Sequence, residues 1–199
     1  MKVGIIGTGS VGTALSRLIK SAGHDTQVGS RAPETGQVTY ETASSESDVV
    51  ILAVPFSALD DLLPDLSEAL AGKIVIDATN PLEDDWSPRL LGQENSAGER
   101  VQALLPNSTV VKAFNTVFAD IMNEAGLHRG DMRATAFIAS DNAEAGNLVC
   151  GLASDIGFAP RFTGPLTTGR YLEAMAHLNI AIGIGQQGGT GAAFLYSEG

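Results

Sequence analysis

Residues Gly7-Thr8-Gly9-Ser10-Val11-Gly12 carry glycines at the spacing G-x-G-x-x-G. This spacing suits recognition of a diphosphate by main-chain atoms. The first glycine permits a tight turn. The second has no Cβ, so the backbone can approach the phosphates, and the third lets a helix pack close to a strand. The first turn of that helix offers free N–H groups and a positive partial charge to the anion. The pattern has this meaning only between a strand and a helix. Here Lys2 to Gly7 reads as a buried strand, and Val11 to Ala22 as a helix with Leu15, Leu18 and Ile19 on one face. The competing reading is a purely structural glycine turn.

The adenosine ribose of a dinucleotide is read at the end of the second strand. A site preferring NAD(H) usually places Asp or Glu there, about 20 residues beyond the glycines, to bond the 2′-hydroxyl. This sequence reads Val28-Gly29-Ser30-Arg31 instead. No acid stands there to repel a 2′-phosphate. Arg31 offers it a planar fork of donors, beside the Ser30 hydroxyl. NADP(H) is therefore the expected ligand, against the alternative of a solvated surface arginine.

Other residues fall at predicted strand ends, where open α/β sheets bind ligands. Val54-Pro55-Phe56 ends the third strand, and Phe56 can face a cofactor ring or cap the core. Asn80 follows the fourth strand and Asn115 the fifth. Either amide can hold a carboxamide or ring carbonyl, or bond only within its own turn. No acid–base pair stands out, and no catalytic side chain is expected. Asp60-Asp61 and Asp84-Asp85 read as solvated doublets, and His177 as a packed histidine among apolar neighbours. Cys150, the single cysteine, reads as a buried, inert thiol. His24, His128 and His177 lack metal-ligand spacing, so no metal is expected. Hydride transfer between two bound cofactors depends on placement more than on side-chain acids, because the cofactors carry the reaction.

The elements that must gather these residues follow from the hydrophobic pattern. Strands are expected at Thr26 to Gly29, Asp48 to Val54, Lys73 to Ala78, Thr109 to Phe114, Arg133 to Ala139 and Phe158 to Phe162. Helices are expected at Ser57 to Ala71, Glu99 to Leu105, Asn142 to Ile156, and Arg170 to about Gln186. The alternation implies an α/β fold: a Rossmann-type, doubly wound, mostly parallel sheet with a small C-terminal helical cap. Residues 1–142 read as the NADP-binding domain and 143–199 as a capping region on the same core. Loops 80–98 and 188–191 are candidates for mobility.

The chain has 199 residues and a formal net charge of −11. Such a field repels nucleic acid and anionic membranes, so neither is an expected partner. No apolar run approaches the ~18 residues of a membrane span. The first, Val3 to Ile6, is too short for a leader, and a cytoplasmic protein is expected.

On these residues the sequence resembles the F420-dependent NADP oxidoreductase family along nearly its whole length. The resemblance rests on Lys2-Val3-Gly4-Ile5-Ile6-Gly7-Thr8-Gly9, Val28-Gly29-Ser30-Arg31, Val54-Pro55-Phe56 and Val110-Val111-Lys112-Ala113-Phe114-Asn115-Thr116. It closes with Gly164-Pro165-Leu166 and Arg170-Tyr171-Leu172-Glu173. It implies hydride transfer between NADPH and coenzyme F420, or a flavin-like acceptor as second substrate. By the same resemblance Thr8, Gly9, Ser10 and Val11 meet the phosphates, and Ser30 and Arg31 the 2′-phosphate. The Val54-Pro55-Phe56 turn lines the groove, and the backbone at Ala119 holds the carboxamide. The resemblance also implies a homodimer. Family members carry histidine where this sequence has Asn115, and some carry a lysine after the Ser-Arg pair, where Ala32 to Gly36 has none. Two other functions fit the residues: a non-catalytic NADP(H)-binding or redox-sensing module, and a small-metabolite reductase acting on β-hydroxyacids or imines. The latter usually adds a large helical domain, for which residues 163–199 are too few.

Overall fold

A computed structural model describes residues 1–92 and 94–198. The strands are β1 (Lys2–Ile6), β2 (Asp25–Ser30), β3 (Val38–Thr39), β4 (Val49–Leu52), β5 (Ile74–Asp77), β6 (Thr109–Ala113), β7 (His128–Arg129), β8 (Met132–Arg133), β9 (Thr135–Ala139) and β10 (Ala159–Phe162). The helices are α1 (Ser10–Ser21), α2 (Tyr40–Ser45), α3 (Leu59–Leu70), α4 (Ala97–Leu104), α5 (Glu124–Leu127), α6 (Ala143–Asp155) and α7 (Gly169–Ile180). The main sheet has the order β10-β9-β6-β5-β4-β1-β2-β3. Its neighbours are parallel except β6 and β9, which pair antiparallel through Lys112 with Ala139 and Ala113 with Ile138.

Apart from Asp77 on β5 and Lys112 on β6, the buried residues of the central strands are apolar on both faces, because helices cover both. Ile5, Ile51, Ile76 and Val111 face a core shared with Leu15, Leu18 and Ile19 of α1 and Val149 and Leu152 of α6. Their neighbours Ile6, Leu52, Val75 and Val110 face Leu59, Leu63, Leu66 and Leu70 of α3 and Val101 of α4. Burying one such side chain contributes about 1.5–3 kcal/mol. The period-2 alternation along the strands thus fixes which helix lies on which face. Leu172 of α7 packs against Phe137 and Ala139, and α7 lies beside α4.

Several elements differ from the sequence expectation. The strand expected at Asp48 to Val54 stops at Leu52, so Ala53 and Val54 leave the sheet and enter the loop above it. The long C-terminal helix stops at Ile180 and widens into a π turn, Ala181–Gly185, among glycines. β3 and α2 lie in a stretch without apolar periodicity. There Thr39 caps α2 by accepting a hydrogen bond from the Thr42 N–H at 3.1 Å. Loop 80–98 contains a tight turn: Leu82 bridges Pro88, and Arg89 donates twice to Glu83, at 2.9 and 2.7 Å.

Candidate cofactor-binding cleft

The carboxyl ends of β1, β4, β5 and β6 open onto one cleft of about 500 Å³. Gly9, Ser10 and Val11 form one end of it. Val54, Pro55 and Phe56 line one side, and Asn80, Asn115 and Ala119 also reach it. Ala176, Asn179 and Ile180 of α7 close over it.

The glycines divide the work. Gly7 sits at φ +123°, and a Cβ there would lie 2.4 Å from the Ala53 carbonyl oxygen. A Cβ on Gly12 would lie 2.4 Å from the Gly7 carbonyl oxygen, so α1 crosses the turn as closely as its backbone allows. A Cβ on Gly9 would meet nothing within 4 Å, so its missing side chain leaves open space at the helix mouth. Helices α2, α4 and α6 each begin with a side-chain cap from Thr39, Ser96 or Asn142 and an acid in the first turn. Helix α1 has neither. Its first N–H groups and its positive end are left for a ligand, which suits a diphosphate.

Ser30 and Arg31 stand at the neighbouring strand end, outside the cleft. The Gly7 N–H donates to the Gly29 carbonyl at 3.2 Å, tying the glycine turn to this end of β2. The Ser30 hydroxyl oxygen accepts from the Ala32 N–H at 3.2 Å. Arg31 is exposed and makes no side-chain bond to the described residues.

The two asparagines meet. Asn80 Nδ2 donates to the Asn115 carbonyl at 2.7 Å, and Asn115 Nδ2 donates to Asn80 Oδ1 at 2.9 Å and to the Leu172 carbonyl at 3.1 Å. Their amide donors therefore join β5, β6 and α7. Asn115 Oδ1 keeps no partner, and neither do the hydroxyls of Thr79 and Thr116. All three residues line the cleft and are 2–5% exposed. Leaving such a group unpaired costs about 1–3 kcal/mol, and a ligand with an amide or imide edge would recover it. Phe114 holds a left-handed conformation, φ 65°, at the point where the chain leaves β6 toward Asn115 and Thr116. Strain of this kind clusters at ligand sites. The cofactor fits these residues at both ends of the cleft.

Beneath the cleft lies a buried ionic cluster that the sequence reading did not identify. Lys112 Nζ donates to Asp77 Oδ2 at 2.8 Å and the Thr79 carbonyl at 2.6 Å, and pairs with Glu173 Oε1 at 2.8 Å. Glu173 also accepts the N–H groups of Ala97 and Gly98 at the start of α4, at 3.0 and 3.3 Å. Asp77 Oδ1 accepts from the Thr79 N–H at 2.9 Å. Burial works to lower the Lys112 pKa, but the two carboxylates outweigh it and hold the value above the ordinary lysine range. A lysine and an aspartate inside strands of otherwise apolar residues were the available signal.

The remaining candidates behave as bystanders. Burial pushes the half-buried Cys150 thiol up, which keeps it unreactive. His177 Nε2 lies 3.0 Å from the Pro81 carbonyl. Asp60 pairs with Arg100 at 2.9 Å. Among the described residues, no group of three His, Cys, Asp or Glu could hold a metal.

A glycine turn into an uncapped helix, at the carboxyl edge of a largely parallel sheet, defines a Rossmann-type dinucleotide-binding protein. Residues 2–81 match the family described as NADP oxidoreductase, coenzyme F420-dependent. It is 34% identical over 182 residues to the metalloreductase STEAP3 of Rattus norvegicus, covering 87% of this chain and 36% of that protein's length. It is 28% identical over 211 residues to the F420-dependent NADP reductase of Methanothermobacter marburgensis, covering 92% of this chain and 93% of that protein. A crystal structure from Arthrobacter sp. FB24, provisionally described as an F420-dependent NADP-reductase, superposes over the whole of both chains. Its TM-score is 0.89 at 25% identity.

Proposed function

We propose that this chain is an NADP(H)-dependent oxidoreductase that passes hydride between NADPH and coenzyme F420 or a flavin-like acceptor. One observation carries the reading. The uncapped start of α1, open above Gly9, continues into a cleft whose buried polar atoms on Thr79, Asn115 and Thr116 lack partners. The bound nicotinamide supplies the hydride, and the chain positions the two rings. In this reading the turn from Gly7 to Gly12 holds the diphosphate, with Thr8, Ser10 and Val11 facing it. Ser30 and Arg31 hold the 2′-phosphate. Val54, Pro55 and Phe56 flank the nicotinamide riboside, and the backbone at Ala119 takes the carboxamide. Asn80 fixes Asn115, which presents its oxygen. The region from 143 onward serves as the cap, through α7.

Loss of NADPH absorbance on mixing with F420, FMN, FAD or riboflavin tests the activity. Turnover with at least one acceptor is expected, and NADPH binding without turnover of any would contradict it. We also propose a homodimer. Tyr171, Leu178 and Ile182 repeat at helical spacing along α7 and its π turn and are 72%, 55% and 49% exposed, an apolar stripe that a second copy would cover. A cytoplasmic location follows from the same reading, because the NADPH pool is intracellular.

A further inference from the structure

Trp86, the chain's single tryptophan, lines the cleft at its mouth and is 55% exposed. It sits in the tight turn of loop 80–98. Its N–H donates to the Glu83 carbonyl at 3.0 Å, and the Glu83 N–H donates to the Ser87 carbonyl at 2.9 Å. Leu82 bridges Pro88 antiparallel, and the Glu83–Arg89 ion pair closes the base. The turn is a short hairpin that closes through Trp86 at φ 68°. Glycine usually holds such a left-handed position, because a large side chain takes it only at a cost.

Packing does not account for the tryptophan. Its indole makes no ring contact and no hydrogen bond among the described residues. A glycine there would keep the turn and remove the strain. Among the described residues, the non-glycine residues at positive φ are Trp86, Phe114 and Gln187. The two aromatic ones both line this cleft. Strain of this kind collects where a ligand is held.

Flavins and deazaflavins share a planar ring with an imide edge, an N–H between two carbonyls. The edge suits the unpaired atoms deeper in the cleft. The Asn115 oxygen can accept from the N–H, and the Thr79 and Thr116 hydroxyls can donate to the carbonyls. The face of the ring needs an apolar plane, and an indole on a hydrogen-bonded turn offers one.

Resting on the proposed oxidoreductase reading, we infer that Trp86 is the surface on which the acceptor's planar ring stacks. It acts on the ring shared by flavins and F420, whatever tail the ring carries. The turn, pinned at both ends, holds the indole in place before the acceptor arrives, so little freedom is lost on binding.

The test compares the full-length wild type with Trp86→Gly and Trp86→Phe, using riboflavin, FMN and F420 as acceptors. Trp86→Gly should raise the KM of each acceptor that is turned over by about tenfold. It should leave the dissociation constant of NADPH unchanged and hold or raise the melting midpoint, because glycine accepts this backbone. Trp86→Phe keeps a planar face and should stay within about threefold of the wild-type KM. A wild-type acceptor KM in Trp86→Gly overturns the inference and keeps the enzyme. Equal losses of NADPH and acceptor overturn it too, because they would place Trp86 on the cofactor. Should the wild type turn over no acceptor, the oxidoreductase reading falls. Equilibrium dialysis of the three acceptors against the NADP⁺-saturated chain then still decides the role of Trp86. Binding about tenfold weaker in Trp86→Gly sustains it, and equal binding or none overturns it.

Discussion

Arg31 is exposed at the end of β2 with no bond to the described residues, so its removal should cost the fold nothing. Its proposed work is on the 2′-phosphate. Arg31→Ala should weaken NADPH about ten- to a hundredfold, the value of a charge-assisted bond set, and leave NADH nearly unchanged. Titration of both cofactors into the variant checks this, and equal losses would contradict the assignment. The glycines of the first turn give a sharper contrast. Gly9→Val points a side chain into open space, so NADPH binding should fail while the melting midpoint holds. Gly12→Val drives its Cβ to 2.4 Å from the Gly7 carbonyl oxygen and should cost about 1–3 kcal/mol of stability. Thermal melts of the two variants, paired with NADPH titrations, separate a ligand role from a packing role.

The ionic cluster acts at the scale of elements, joining β5 and β6 to the start of α4 and to α7. Lys112→Met leaves Asp77 and Glu173 buried beside a neutral chain, and should destabilise the protein by about 3–5 kcal/mol. Chemical denaturation measures it. The Lys112 pKa is raised above its ordinary 10.5 by the two carboxylates against burial. Its contribution is therefore whole below that value and fades as pH rises through the higher folded one. The wild type should lose stability in strong alkali more steeply than Lys112→Met does. The elements were legible where one physical signal dominated. The buried strands read clearly because their residues are apolar on both faces. The first turn read clearly because Gly7 and Gly12 are sterically required and Gly9 stands at the same motif's spacing between them. α2 escaped because it is short and polar. Its trace in the sequence was Gly4 on β1, where a Cβ would lie 2.2 Å from the Ala43 carbonyl oxygen. The antiparallel β6 and β9 pair escaped because apolar pattern does not encode strand direction. Asn80 and Asn115 read correctly as residues at strand ends, but their bond to each other depends on the adjacency of β5 and β6. Thr79 and Thr116 gave no signal at all, since a buried hydroxyl without a partner is visible only in three dimensions.

For the whole molecule, the proposed dimer makes its own prediction. Light scattering should give a dimer mass for the wild type, and a monomer for the double variant Leu178→Asp, Ile182→Asp with NADPH binding retained. A monomeric wild type at all concentrations would contradict it. The acidic surface repels an anionic dinucleotide at long range, so binding rests on a few local donors. That concentration of purpose makes cofactor choice the most direct test of the account. Competitive calorimetric titration of the wild-type protein with NADPH and NADH measures it. The account predicts NADPH bound at least about tenfold more tightly. Equal affinities, or no binding of NADPH, would contradict it.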